Sequence, residues 1–129
     1  MTTTATPQSI YAEAIRERKS KNPLDRRQAC EKRWLAVVEA VDNFLATKGK
    51  FIPKGDPDAH GKRREALDEL VVHGPSTWGL RNNISVGMDN LHGQCFYGGK
   101  DSLAHDLDLK KTVREILEQT GHSVDEIDE

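Results

Sequence analysis

The sequence lacks long apolar runs and a secretory signal, and these absences exclude several classes of protein. No apolar run approaches the roughly 18 residues that a membrane-spanning helix needs, so we expect no membrane association. The first residues lack the basic and apolar segments of a signal peptide, so we expect a cytoplasmic protein. With 129 residues, 36% hydrophobic and 31% charged, the chain is polar but still typical of one globular domain.

Metal and cofactor motifs are also missing. The two cysteines, Cys30 and Cys95, form no Cys-x-x-C pair, and no His/Cys cluster has zinc-binding spacing. Both lie on apolar helical faces, where we expect buried free thiols. The Gly98-Gly99 pair lacks the preceding strand and following Lys-Ser/Thr of a phosphate-binding loop. We therefore expect no metal and no cofactor.

No segment alternates polar and apolar residues as a strand does, so the sequence predicts an all-α fold. Apolar residues recur at steps of three and four, which indicates an up-and-down bundle of four to five helices. The helices are predicted over about 9–19, 23–48, 59–73, 77–96 and 102–120, with Ser9 as the first cap. We expect residues 1–8 to form a flexible tail, 9–121 the bundle and 122–129 an acidic tail.

Two helices carry the longest apolar stripes. The second carries Cys30, Trp34 and Val37, and the fourth carries Leu80 and Ile84. We predict that these two helices form the central antiparallel pair of the bundle, with Trp34 in the core.

Charge is divided unevenly along the chain. Residues 1–64 hold 14 basic against 8 acidic residues, whereas residues 65–129 hold 5 against 13. Self-complementary charge of this kind can pair two copies, so we expect a homodimer. A basic cluster lies between Arg16 and Arg27 without interleaved aromatics, which is typical of solvated helix faces. A phosphate-contacting patch is the alternative interpretation.

The fourth helix carries polar residues on the flank of its apolar stripe, namely Arg81, Ser85 and His92. His92 is either a structural histidine or part of a site with Asp89, one turn earlier. Basic residues that open the third helix could join it and bind an anion. The predicted ligand-binding set is His60, Arg63, Arg81, His92 and Tyr97. If catalysis occurs, His92 and Arg81 are the candidates for general base and charge stabiliser.

Three segments resemble a known family. They are 29–38 (ACEKRWLAVV), 60–64 (HGKRR) and 91–98 (LHGQCFYG). In this order they resemble the HEPN superfamily of helical domains, especially its small stand-alone archaeal and bacterial branch, over roughly residues 9–120. The resemblance implies a helical bundle, commonly dimeric, that acts as a toxin ribonuclease or as the partner of a minimal nucleotidyltransferase.

The ribonuclease branch of that family has four to six residues between its Arg and its His. Here ten residues lie between Arg81 and His92, eight between Arg64 and His73, and seven between Arg114 and His122. We therefore predict a non-enzymatic, dimeric interaction module that binds a nucleotide, nucleic acid or partner protein, and the resemblance implies a toxin–antitoxin or nucleotidyltransferase-linked system. The alternative is an atypical metal-independent ribonuclease that uses an Arg/His pair.

Overall fold

In a computed structural model, the described residues of the chain form five helices. The structure describes residues 6–53, 55–74, 78–87 and 103–124, and no strand occurs in these ranges. The helices are α1 (Pro7–Arg18), α2 (Pro23–Thr47), α3 (Ala59–His73), α4 (Trp78–Gly87) and α5 (Leu103–Gln119). The predicted all-α bundle is confirmed. Within the described ranges, no helix is both long and apolar enough to cross a membrane.

Helix α1 begins two residues earlier than predicted. Thr6, rather than Ser9, is the N-cap, and its side chain accepts a hydrogen bond from the Ser9 amide at 3.1 Å. The Ser9 hydroxyl in turn accepts from the Thr6 amide at 2.9 Å. Pro7 occupies the first helical position, where its missing N–H costs nothing. This capping box makes residues 6–8, which were predicted to belong to the N-terminal tail, part of helix α1 and its cap.

Helix α2 has nearly the predicted bounds. The Asn22 side chain accepts from the Leu24 amide at 3.0 Å and caps its start. Its end is followed by Gly49, whose φ of 75° lies in the left-handed region that favours glycine. The predicted apolar stripe is buried, including Trp34, which is 3% exposed.

Helices α1 and α2 pack on each other. Ala29, Ala36 and Ala40 of α2 have no exposed surface, and Tyr11 and Ala14 of α1 have none either. The ammonium of Lys32 hydrogen-bonds Glu13 at 2.6 Å and also Glu17, both on α1. These hydrogen bonds raise the pKa of Lys32 above its ordinary value. A bridging lysine therefore links the two helices beside the buried surface that both contribute to the core.

The predicted central pair of helices is not found in the described part of the chain. The most extensive neighbour of α2 is α1, and that of α4 is α5. Residues 88–96 of the predicted fourth helix lie outside the described residues, so the pairing of its full length stays a prediction. The length of an apolar stripe indicates how much surface a helix buries and does not identify the helix that covers it.

The later helices agree with the sequence where they are described. Helix α3 has the predicted bounds, although the side chain of Asp58 makes no capping hydrogen bond. In α4, Leu80 and Ile84 are buried as predicted. Residues 88–96, predicted to continue this helix, lie outside the described residues.

The core extends past the predicted end of the bundle at residue 121. Val124 is fully buried, and its carbonyl accepts a hydrogen bond from Arg114 at 3.3 Å. Burial lowers the pKa of His122, which lies beside the buried Thr120 hydroxyl at 3.0 Å. Residues 122–124 therefore belong to the folded domain and not to an acidic tail.

Two buried residues of α2 differ from ordinary core residues. Cys30 is buried as predicted, but it is bonded in a disulfide, so the free-thiol prediction is wrong for this residue. Helical periodicity shows on which face of a helix a cysteine lies, but it cannot show which residue from another part of the chain contacts that face. Cys95 lies outside the described residues. Arg33 is 1% exposed, which is rare for arginine and places a charged group inside the bundle.

Replacement of Trp34 by alanine should reduce the free energy of unfolding by about 3–5 kcal/mol, because it leaves a cavity between α2 and α3. Urea denaturation followed by circular dichroism measures the change. Trp78→Ala is the matched control, since this second tryptophan is 57% exposed and its removal opens no cavity. Equal stability of the Trp34→Ala protein and the parent would contradict this account of the core.

Candidate functional site

Basic side chains from two helices meet at one cleft between α3 and α4. In both helices the lining residues recur at steps of three and four, so each set lies on one side of its helix. The cleft is lined by His60, Arg63, Arg64 and Leu67 of α3, Arg81, Ile84 and Ser85 of α4, and Trp34 of α2. The polar flank predicted for the fourth helix therefore faces the basic start of the third.

Arg63 is held by a two-point ion pair with Asp42 of α2. Its Nε donates to one carboxylate oxygen at 2.6 Å and its Nη2 to the other at 2.9 Å. Both side chains are largely buried. A bidentate arginine–carboxylate pair of this kind makes two charge-assisted hydrogen bonds, which are stronger than hydrogen bonds between neutral groups. The ion pair therefore anchors α3 on α2.

His60 lies between the same arginine and the core tryptophan. Its ring centroid is 5.6 Å from that of Trp34, at a tilt of 53°. Its Nδ1 is 3.1 Å from Nη1 of Arg63. Because a guanidinium can only donate hydrogen bonds, Nδ1 is the acceptor in this contact. In this arrangement Nδ1 cannot serve as a base.

Arg81 connects the cleft to the surface. Its Nε donates to Asp68 of α3 at 2.8 Å. Its guanidinium carbon lies 5.9 Å from the ring centroid of Trp78, one turn earlier on α4, within the range of a cation–π contact. These contacts among the described residues use one N–H and one face of the guanidinium, so its terminal nitrogens can reach a ligand.

The cleft is small. Its volume of about 20 Å³ is enough for about one water molecule. Pockets that enclose small molecules are on the order of 300–1,000 Å³. A phosphate group can therefore lie at the mouth of this cleft, but the cleft cannot enclose a whole nucleotide.

Two wider hollows flank the loop after α2, and they share Phe51 and Ile52. One, of about 230 Å³, is lined by Glu39 and Asp42. The other, of about 280 Å³, is lined by lysines and glutamates, and Lys50 there pairs with Glu69 at 2.8 Å. Neither concentrates positive charge, so the smaller cleft is the better candidate for an anion.

Three of the five predicted ligand-binding residues meet in the cleft, namely His60, Arg63 and Arg81. His92 and Tyr97, together with Asp89, lie outside the described residues, so the catalytic hypothesis for His92 stays a prediction. No group of three or more His, Cys, Asp or Glu side chains in the described ranges could hold a metal ion.

Sequence reasoning missed four residues of this region. Asp42 and Asp68 are the ion-pair partners of the arginines, and they lie 21 and 13 residues away in the chain. No periodic pattern relates residues so far apart. Arg64 was present in the HGKRR segment, and Trp78 could have been found as a tryptophan that falls outside the apolar stripe of its helix.

Comparison with known proteins finds no matching family model, no matching curated protein and no matching solved structure. Membership of the HEPN superfamily therefore stays a prediction from the sequence. What can be argued about function comes from the cleft itself.

Arg63→Ala should destabilise the fold by about 3 kcal/mol, because it leaves the largely buried Asp42 carboxylate without its partner. Arg81→Ala is the matched control, since its exposed ion pair with Asp68 contributes below about 1 kcal/mol. Urea denaturation of both variants measures the difference. Equal losses in the two proteins would mean that the Arg63 ion pair does not anchor α3.

Proposed function

We propose that the chain is a non-enzymatic module that binds a nucleic acid through its phosphate groups at the α3–α4 cleft. The observation that supports this most strongly is the convergence of four basic side chains, listed above, from two helices. Arginines that lie close together favour phosphate binding, because each planar guanidinium can donate two hydrogen bonds to phosphate oxygens. Arg64 and Arg81 would make the contact, since Arg63 is committed to Asp42.

The size of the cleft favours a polymer over a free nucleotide. A cleft for one water molecule offers a mononucleotide little burial, whereas a polymer can gain affinity from several phosphates that each bind at the surface. A partner protein remains part of the prediction from the sequence, in particular the minimal nucleotidyltransferase that the HEPN resemblance implies.

The geometry of His60 favours binding over catalysis. A metal-independent ribonuclease needs a general base within reach of the attacking hydroxyl. The Nδ1 of His60 already accepts a hydrogen bond from Nη1 of Arg63, 3.1 Å away, so it is not available as that base. The alternative, an atypical ribonuclease, would need His92 or another group in place of His60.

The disulfide of Cys30 also bears on where the protein is located. Stable disulfides are uncommon in the cytosol, so the disulfide of Cys30 weighs against the cytoplasmic location that the missing secretory signal predicts.

The wild-type protein should bind a labelled oligonucleotide, without cleaving it, and its affinity should fall as salt rises because counterions are released on binding. Fluorescence polarisation at low and moderate salt measures this. The double variant Arg64→Gln/Arg81→Gln should bind the oligonucleotide more weakly. The slope of its log affinity against log salt concentration should be shallower by about one for each lost phosphate contact. Arg16→Gln/Lys19→Gln, which removes two exposed charges from the α1 terminus, is the charge-matched control. RNA cleavage by the wild type, or equal binding by both double variants, would contradict the proposal.

We further propose that the protein is a homodimer, which the opposite charges of residues 1–64 and 65–129 support. Sedimentation equilibrium should reveal a dimer at tens of micromolar, a range typical of modest affinity. Added salt should weaken the dimer, since its attraction is electrostatic. A monomer at every concentration and at low salt would remove this part of the proposal.

A further inference from the structure

Trp78 has a large apolar side chain that is not part of the hydrophobic core. It opens α4 and is 57% exposed, whereas Leu80 and Ile84 on the same helix are buried. Among the contacts described for its ring is the Arg81 guanidinium at 5.9 Å. An exposed tryptophan next to a cation presents a flat face of the kind on which bases stack.

Arg81 makes the tryptophan and the basic cleft one continuous surface. The same guanidinium contacts Trp78 and lines the cleft with His60 and Arg64. A ligand that reaches Trp78 is therefore also within reach of the cationic groups. This surface, Trp78 with Arg81, Arg64 and His60, is called the stacking surface below.

We propose that the stacking surface binds single-stranded nucleic acid, with an unpaired base on Trp78 and the adjoining phosphate on Arg64 and Arg81. This inference rests on the proposed function and specifies its ligand. A duplex hides the faces of its bases in the helical stack, whereas a single strand exposes them. Stacking on one ring accepts every base, so the binding has little sequence preference.

An acidic residue on α3 limits the affinity of the cleft for a phosphate. Asp68 accepts a hydrogen bond from Nε of Arg81 at 2.8 Å. Its carboxylate therefore repels a phosphate that approaches Arg81. Removal of one negative charge by Asp68→Asn should therefore tighten binding of a single strand.

The experiment compares a labelled oligouridine of about 12 nucleotides, long enough for several bases to sample the surface, with the same strand annealed to its complement. Polarisation at low salt measures both affinities. Trp78→Ala should weaken single-strand binding on the order of tenfold, as expected for the loss of one base–aromatic stack, and should leave duplex binding unchanged. Trp78→Phe should restore part of the loss.

Phe51→Ala is the matched control, because Phe51 is 85% exposed and lines neither the cleft nor the stacking surface. This variant should bind both ligands as the wild type does. A second readout uses Trp34→Phe, in which Trp78 is the one remaining tryptophan. Its fluorescence should be quenched by the single strand and not by inorganic pyrophosphate.

The possible failures are distinguishable. If Trp78→Ala binds the single strand as well as the wild type, stacking is overturned while the phosphate site of the proposed function stands. If neither single strand nor duplex binds the wild type at low salt, both proposals are overturned. If Phe51→Ala loses as much single-strand affinity as Trp78→Ala, the effect is not specific to the stacking surface and the inference fails.

Discussion

The ion pair between Arg63 and Asp42 is the interaction on which the candidate site depends. It ties the first turns of α3 to α2 through two hydrogen bonds of 2.6 and 2.9 Å. The third nitrogen of the same guanidinium holds His60 beside Trp34. With α3 fixed in this way, Arg64 and Arg81 lie along the same cleft. Arg63 thus has a structural role at this cleft.

The division of charge along the chain falls within α3. Basic residues occupy its first turns, up to Arg64, and acidic residues follow from Glu65 to Glu69. Asp68 lies in the acidic part and accepts a hydrogen bond from Arg81, which holds the guanidinium in place. The same carboxylate carries a negative charge that repels a phosphate. An arginine positioned by a carboxylate loses less rotational freedom on binding, at the cost of weaker attraction for the anion. The site is therefore suited to a ligand that adds a second kind of contact, such as stacking.

The sequence was sufficient for features that depend on local spacing. The bounds of α2 and α3, the burial of Trp34 and the placement of Arg81 and Ser85 on one flank follow from helical periodicity and caps. Features that depend on the approach of distant residues could not be predicted. These include the pairing of α2 with α1, the counter-ion Asp42, and the burial of Val124 beyond the last helix. The disulfide of Cys30 belongs to the same group.

Trp34 and Trp78 are the only tryptophans in the sequence, and they occupy opposite environments, one in the core and one on the stacking surface. The most direct measurement is therefore a ¹H–¹⁵N spectrum of the two indole groups during titration with a short single-stranded oligonucleotide. The account predicts that the Trp78 indole signal shifts progressively with added strand while the Trp34 signal stays in place. A titration in which binding occurs but the Trp78 signal does not move would contradict it.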